Sequence, residues 1–334
     1  MFGLFGKCKA RLRNIQQELT RSGRRLAAEY RLPASALPVL AREFGCTPCY
    51  LSHGPETPVF NPGVTRFERE IVFVSRSSNL VHRNDWEAVY ASQPHNTVCL
   101  VHRYDEDLNL IETRVLDDGL VRQAAPYGIE DLRLFTWKGS LCAIAAGIGP
   151  DGAGLSVTQM FVRFEDWRVA SFATLPSPNG RKFEKNWIPV VKDDRLFLIY
   201  NFHPVTIYEF ADGKLHWICG APNHGLDFHV RGGTPLIPWN GHFIGLIHSV
   251  RKIDRKMYYS HAFAALDSNF DLIETSEPFF IQRPGIEFAC GLIEYKGDLL
   301  VSYGVSDRAA AFCILPFSQI AQMVVAMGNP SKAG

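Results

Sequence analysis

The chain lacks most of what marks the commoner function classes. Lysine plus arginine (35) nearly equals aspartate plus glutamate (34), a net charge of +1 over 334 residues. No whole-chain field therefore argues for nucleic acid or an anionic membrane. No apolar run approaches the length of a spanning helix. The N-terminus, MFGLFGKCKARLR, places apolar residues before basic ones without a long apolar segment, so a cleaved secretory signal is not expected. There is no P-loop, no dinucleotide GxGxxG and no Ser nucleophile elbow. No HExxH occurs, and the spacing of His203, His224, His229, His248 and His261 fits no standard zinc signature. Neither a metal nor a resident cofactor is expected. Most of the eight cysteines sit in apolar runs such as VCLVH, SLCAIAA and FCILP, which fits free thiols and a cytoplasmic location. Cys46-Thr-Pro-Cys49 is a lone CxxC without a second pair and reads as structural.

What is present is a chain long enough for a large core, with ordinary apolar (46%) and charged (21%) content. Residues 1–31 carry Lys7, Lys9, Arg11, Arg13, Arg21, Arg24, Arg25 and Arg31, with Leu12, Ile15, Leu19, Leu26 and Tyr30 at near-helical spacing. This predicts a basic amphipathic helix ending before Pro33. It either docks on the domain or serves as an arm in a homo-oligomer, or it contacts acidic lipid at a membrane surface. From about Thr57 the pattern changes to short strand-like runs, among them EIVFVSR, TVCLVHRY, RLFLIYNF, HFIGLIH and DLLVSYGV, separated by Asn-Pro-Gly, Asp-Gly and Lys-Gly-Asp turn signals. The Gly-rich stretch Gly147–Gly154 follows a strand without opening a helix and reads as a long hairpin turn. No long helix is expected before Ser318–Met327. Many short strands without helices between them mean a sandwich, barrel or propeller.

A weak rhythm favours the propeller. Polar segments recur about every 50–60 residues, in the range of propeller blades: Phe60-Asn61-Pro62-Gly63, Glu130-Asp131-Leu132-Arg133, Glu184-Lys185-Asn186-Trp187, Arg231-Gly232-Gly233-Thr234 and Glu287-Phe288-Ala289-Cys290-Gly291. Five segments predict an all-β, five-bladed propeller, each blade placing its first strand at the central channel. The expected organisation is an N-terminal helical extension over 1–50, the propeller over 51–316, and a C-terminal helix and tail over 317–334. Within Tyr127–Phe135, strand alternation puts Asp131 and Arg133 on one face and Glu130 and Leu132 on the other. Charges set into such a buried strand are costly unless paired or used. They are either a core ion pair locking one sheet to the next or part of a site.

The five segments resemble, in order, the blade-starting motifs of glycoside hydrolase family 130, mannoside phosphorylases and related hydrolases, with glycosyltransferase family 108 as the nearest relative. The resemblance covers about Val59–Ala311. It implies a carbohydrate-active enzyme, an inverting glycoside phosphorylase or glycosyltransferase acting on mannosides or similar β-linked sugars. EDLR is similar to the family's EDPR, which implies Asp131 as general acid with Arg133 beside it. FNPGV and FVSR give Asn61 and Arg76, EKNWIP gives Lys185 at an anion site, GLIHSV gives His248, and LLVSYGVSD gives Tyr303 and Asp307. Leu132 departs from the family's Pro, and His203-Pro204 stands where phosphorylases show Arg-Pro. Arg231 is an addition.

Inverting cleavage needs an acid at the leaving oxygen and a nucleophile on the opposite ring face. Phosphate already carries charge, so one carboxylate and a cationic cradle suffice. Asp131 is the candidate acid; Arg76, Arg133, Lys185, Arg231 and His248 are the candidate phosphate ligands. Asn61, Glu130, Trp187, Tyr303 and Asp307 are the candidate substrate contacts. The expected partner is an oligosaccharide or sugar phosphate, with inorganic phosphate or a sugar phosphate as co-substrate. A hydrolase using a second carboxylate, Glu287 or Asp307, and a non-catalytic glycan-binding propeller are the alternatives. For Trp239, Tyr258 and Tyr259, core or surface packing is the expectation.

Overall fold

The computed structural model describes residues 37–51, 58–82, 88–90, 95–152, 154–202, 205–220 and 230–324. The basic helix expected over 1–31, and His203, His224 and His229, lie outside the described residues. The described chain is a five-bladed β-propeller. Blade one is the sheet of Phe60–Phe67, Glu70–Ser78, Thr97–Tyr104 and Leu110–Val115, and a small hairpin (Leu80–His82, Ala88–Tyr90) is inserted between its second and third strands. Blade two is Ile129–Trp137, Ser140–Asp151, Gly154–Glu165 and Arg168–Leu175. Blade three is Ile188–Lys192, Arg195–Phe202, Val205–Ala211 and Lys214–Cys219. In blade four the first strand is split into Arg231–Gly232 and Ile237–Trp239, both paired to His242–Ile253, and Lys256–Leu266 and Leu272–Thr275 follow. Blade five takes Glu287–Tyr295, Asp298–Val305 and Ala309–Leu315 from the end of the chain and its outer strand, Cys49–Tyr50, from the beginning. That pairing closes the ring, so no blade is left at an open end.

The lone CxxC lies at this closure. Cys46 and Cys49 are free thiols, and Cys46 interacts with Cys313 of the adjoining strand. Among the described residues two short α-helices accompany the propeller, α1 (Leu40–Glu43) and α2 (Phe317–Met323). Among the described residues no helix is long and apolar enough to cross a membrane.

The local rules are visible strand by strand. Tight hairpins put positive φ at both central residues, as at Lys138-Gly139 (49° and 70°) and Lys296-Gly297 (51° and 90°), the geometry that lets a two-residue turn follow strand twist. The Gly147–Gly154 stretch does not form the long turn expected of it. Gly147, Gly149 and Gly154 continue the two strands, which pair from Gly147↔Thr158 to Asp151↔Gly154, and Gly152 sits in the short turn between them. A Cβ at Gly147 would lie 2.3 Å from Met160 Sδ, so the missing side chain serves close packing rather than a loop.

The core lies between blades. One cluster joins Val72, Val74 and Val101 of blade one to Leu132, Leu134 and Ala143 of blade two. Another joins Ile188 and Val190 of blade three to Ile247 and Ala264 of blade four. Near the axis the first strand of blade one is held closely to its neighbours in blades five and two. Ser302 Oγ donates to Pro62 O at 2.5 Å, and a Cβ on Gly63 would sit 1.8 Å from Leu132 O.

Candidate active site

The alternation expected for Tyr127–Phe135 does not hold. Glu130 pairs with Ala146 and Arg133 with Ile144, so Asp131-Leu132 form a bulge in the ladder. Blade one bulges at the same place, between Phe60↔Arg76 and Gly63↔Val74. The bulged residues Asn61 and Asp131 have φ of 49° and 51°, and Asn186, at the entry to blade three, has 70°. Asn and Asp are the side chains that tolerate this left-handed region best after glycine. The bulge swings Asp131 round, so that it and Glu130 meet the same cation.

That cation is Arg76. Its Nη1 is 2.6 Å from Glu130 Oε2 and its Nε 3.1 Å from Asp131 Oδ1, with its guanidinium 4.5 Å from the Phe60 ring centroid. Asn61 Nδ2 donates to the same Asp131 Oδ1 at 2.9 Å. Arg76, Asp131 and Glu130 are all buried. Glu130 Oε1 also takes Thr97 Oγ1 at 3.1 Å and faces His95 Nε2 at 3.1 Å. Burial alone would raise Glu130, but the charge of Arg76, the His95 contact and the charge of Lys185 outweigh it and bring its carboxyl down to about 2. Asp131 differs in one respect. Both contacts go to Oδ1, and among the described residues nothing bonds Oδ2.

Arg133 is wholly buried and its donors turn to the protein. Nε donates to Gly233 O at 2.7 Å, Nη1 to Asp131 O at 3.2 Å, and Nη2 to Asn186 Oδ1 at 3.0 Å and Gly232 O at 3.2 Å. It ties blade two to blades three and four instead of facing an anion. Two expected sugar contacts are likewise enclosed. Trp187 lies in the core under blade three, its Nε1 donating to Glu184 Oε2 at 3.1 Å and its ring edge-on to Tyr200 at 5.1 Å. Tyr303 is fully buried, its hydroxyl donating to Gln282 Oε1 at 3.1 Å. Each satisfies its polar atom inside the protein, as buried Trp and Tyr normally do.

Lys185 and Arg231 are exposed. With Arg181 they line a cleft of about 250 Å³ between blades three and four, and the exposed ring of Phe183 stands at its edge. The cleft adjoins the carboxylates and the histidine, because Lys185 acts on both Glu130 and His248, and Arg231 on His248. His248 is buried, and burial first, then the charges of His261, Arg231, Arg133 and Lys185, holds its ring well below the usual histidine range. It is uncharged at neutral pH and adds no cation to the cleft. His261, paired with it across the hairpin, is held by burial to about 3 and accepts the Ala289 N–H at 3.2 Å. Asp307 is half-buried and acts on Tyr259. Among the described residues Glu287 pairs with no arginine side chain; its carboxylate accepts the backbone N–H groups of Ile281, Gln282 and Arg283, each at 2.8 Å.

Three residues join the site without having been expected there; Tyr259 was expected to be core or surface packing. Asn186 shares the left-handed conformation of Asn61 and Asp131, and the recurrence of Asn/Asp at blade starts was its signal. Tyr259 stacks on His248 at 5.9 Å and 11°. After burial and Asp307, the groups acting on it are Arg231, Asp131 and Arg76. Its signal was its place two residues before His261 on the same strand face. His95 follows from no pattern. It arrives from the segment leading into Thr97–Tyr104.

A ring of five sheets with a paired carboxylate couple at its axis and a cationic cleft alongside defines a class of propeller site. No protein-family model matches the chain, and no curated protein matches it in sequence. Solved structures match it in fold. A β-1,2-mannobiose phosphorylase from Listeria innocua superposes with a TM-score of 0.54 at 14% identity, covering 83% of this chain and 95% of that one. MPT-1, a GDP-Man-dependent mannosyltransferase from Leishmania mexicana, gives 0.54 at 12% identity over 83% and 93%. A glycosyl hydrolase from Bacteroides ovatus gives 0.56 at 15% identity over 77% and 84%. The resemblance carried by the blade-starting motifs thus holds at the level of fold.

Proposed function

We propose that the protein is an inverting glycoside phosphorylase or glycosyltransferase for mannosides or similar β-linked sugars. The observation that carries this reading is the placement of Asp131. A bulge brings it to the cation that Glu130 also meets, Asn61 and Arg76 hold its Oδ1, and its Oδ2 is the atom this reading assigns to the proton transfer. Asp131 delivers a proton to the glycosidic oxygen, directly or through a sugar hydroxyl. A phosphate held by Lys185 and Arg231 attacks the anomeric carbon from the opposite face. The bond from that carbon to the leaving oxygen breaks as the bond to the phosphate oxygen forms. The reverse reaction transfers the sugar from its phosphate to an acceptor and returns the proton to Asp131. Arg133, through Asn186 and the backbone of Gly232 and Gly233, positions the cleft without touching substrate. His248 acts as a neutral hydrogen-bonding ring.

Phosphorolysis or transfer is favoured over hydrolysis by the state of the other carboxylates. A hydrolase needs a second carboxylate to activate water. Glu130 is occupied by Arg76, His95 and Thr97, and Glu287 by three backbone N–H groups. Asp307 is then the remaining candidate base. The test is to incubate the protein with mannose 1-phosphate, and separately with GDP-mannose, against a panel of acceptor sugars, and to weigh the products by mass. Product from either donor supports the reading. Release of free mannose from a mannoside at a rate indifferent to phosphate and abolished in Asp307→Asn would replace it with hydrolysis.

A further inference from the structure

A second and larger cleft, about 640 Å³, lies between blades four and five. Its walls are the turn before the inner strand Glu287–Tyr295, the Val305–Ala309 hairpin and the start of Lys256–Leu266. Inner strands begin on the face where Asp131 sits, so this cleft opens on the same face as the axial site. Asp307 and Tyr259 link the two places. Each is the chain neighbour of a residue lining the cleft, Arg308 and Tyr258 respectively, while Tyr259 itself turns to His248.

Among the described residues the lining contains Lys256, Arg283 and Arg308 and no carboxylate, with Tyr50 and Tyr258 beside them. Buried chemistry builds its wall. The wholly buried Glu287 accepts three consecutive N–H groups and so fixes the backbone of Ile281, Gln282 and Arg283. Gln282 bridges two tyrosines, accepting from Tyr303 Oη at 3.1 Å and donating to Tyr50 Oη at 2.5 Å. Arg283 Nη2 donates to Ser306 Oγ. An exposed turn held by a buried carboxylate and a glutamine bridge presents Arg283 in a fixed arrangement, and its bond to Ser306 ties it to the hairpin that carries Arg308, which lowers the entropy lost when an anion docks.

We propose that this cleft is a second anion site, which grips a phosphate ester on the part of the substrate that projects from the axial channel, with Arg283 and Arg308 as ligands and Tyr50 and Tyr258 against the attached ring. The shared chemistry is a phosphate ester. It is supplied either by a nucleoside diphosphate on the donor or by a phosphorylated sugar on the acceptor. The inference rests on the sugar-transfer reading for the identity of the substrate, not for the existence of the site.

Calorimetric titration of the full chain tests it, using inorganic phosphate, guanosine diphosphate and mannose 6-phosphate as probes. Arg283→Ala/Arg308→Ala should weaken one of the two organic phosphates by at least about tenfold, the loss expected for charge-assisted hydrogen bonds, and leave inorganic phosphate unchanged. The organic phosphate that responds identifies the source. Lys185→Ala should weaken inorganic phosphate. Arg308→Ala alone, at an exposed side chain, should move in the same direction as the double variant. The proposal is overturned if neither organic phosphate binds the wild-type chain, or if both bind the double variant within about twofold of it. Loss of the organic phosphate in the double variant, with inorganic phosphate untouched by Lys185→Ala, would sustain this site and remove the catalytic reading instead.

Discussion

Replacing Arg76 by methionine keeps the bulk of the side chain over Phe60 and deletes the charge between Glu130 and Asp131. The two carboxylates then share a buried site with Asn61, His95 and Thr97 as their remaining partners. Glu130 is held from an ordinary 4.5 down to about 2 against the opposing effect of burial, which corresponds to about 3 kcal/mol of folding free energy. That agrees with the roughly 3–5 kcal/mol lost when a buried ion pair is broken on one side. The pH dependence has a definite sign. A carboxyl depressed on folding stabilises fully above its unfolded value and loses that contribution as pH falls from about 4.5 toward 2. The gap between wild type and Arg76→Met should therefore be widest at pH 7, about 3 kcal/mol, and should narrow below pH 4.5. Urea unfolding at pH 7, 5 and 3.5 measures it. A gap under about 1 kcal/mol at pH 7, or one that widens on acidification, would refute the account of this pair.

Other substitutions separate roles that the same motifs suggest. Lys185→Ala, at an exposed side chain, should leave stability within about 0.5 kcal/mol and raise the KM for phosphate by roughly 10-fold or more, read by steady-state kinetics at varied phosphate. Trp187→Phe should cost about 1–2 kcal/mol in denaturant through the lost bond to Glu184 and leave KM for sugar unchanged, because the ring is core and not a sugar platform. Gly63→Ala should be among the most damaging single changes in the chain. Its Cβ would meet Leu132 O at 1.8 Å, so a loss of several kcal/mol or failure to fold is expected, scored by soluble yield and thermal melting.

Blade number, the turns and the blade-starting segments were legible in the sequence because each depends on local chemistry: short apolar runs, Asn/Asp/Gly at tight turns, and polar residues recurring at the axis. The partnership of Arg76 with Asp131 was legible only as a shared motif. Its geometry was not, since one extra residue in the ladder breaks the alternation that places Asp131 opposite Glu130. The same limit explains Trp187, Tyr303 and Arg133. Whether a side chain beside the axis faces the channel or the protein depends on tertiary contacts outside its own motif, such as Gly233 for Arg133, Tyr200 for Trp187 and Gln282 for Tyr303. Glu287 follows the same pattern, for its partners are backbone N–H groups that no side-chain pattern announces. The cleft of Arg283 and Arg308 draws on four separate segments and has no motif.

The most direct measurement is the turnover of Asp131→Asn in the direction of synthesis, from whichever donor the wild type accepts, with folding checked by the unfolding curve. Asn keeps the size and the contact with Asn61 but has no proton to give or take. The account predicts a fall in kcat of about 10²-fold or more with KM for the donor nearly unchanged. Full activity in a folded Asp131→Asn protein would contradict it.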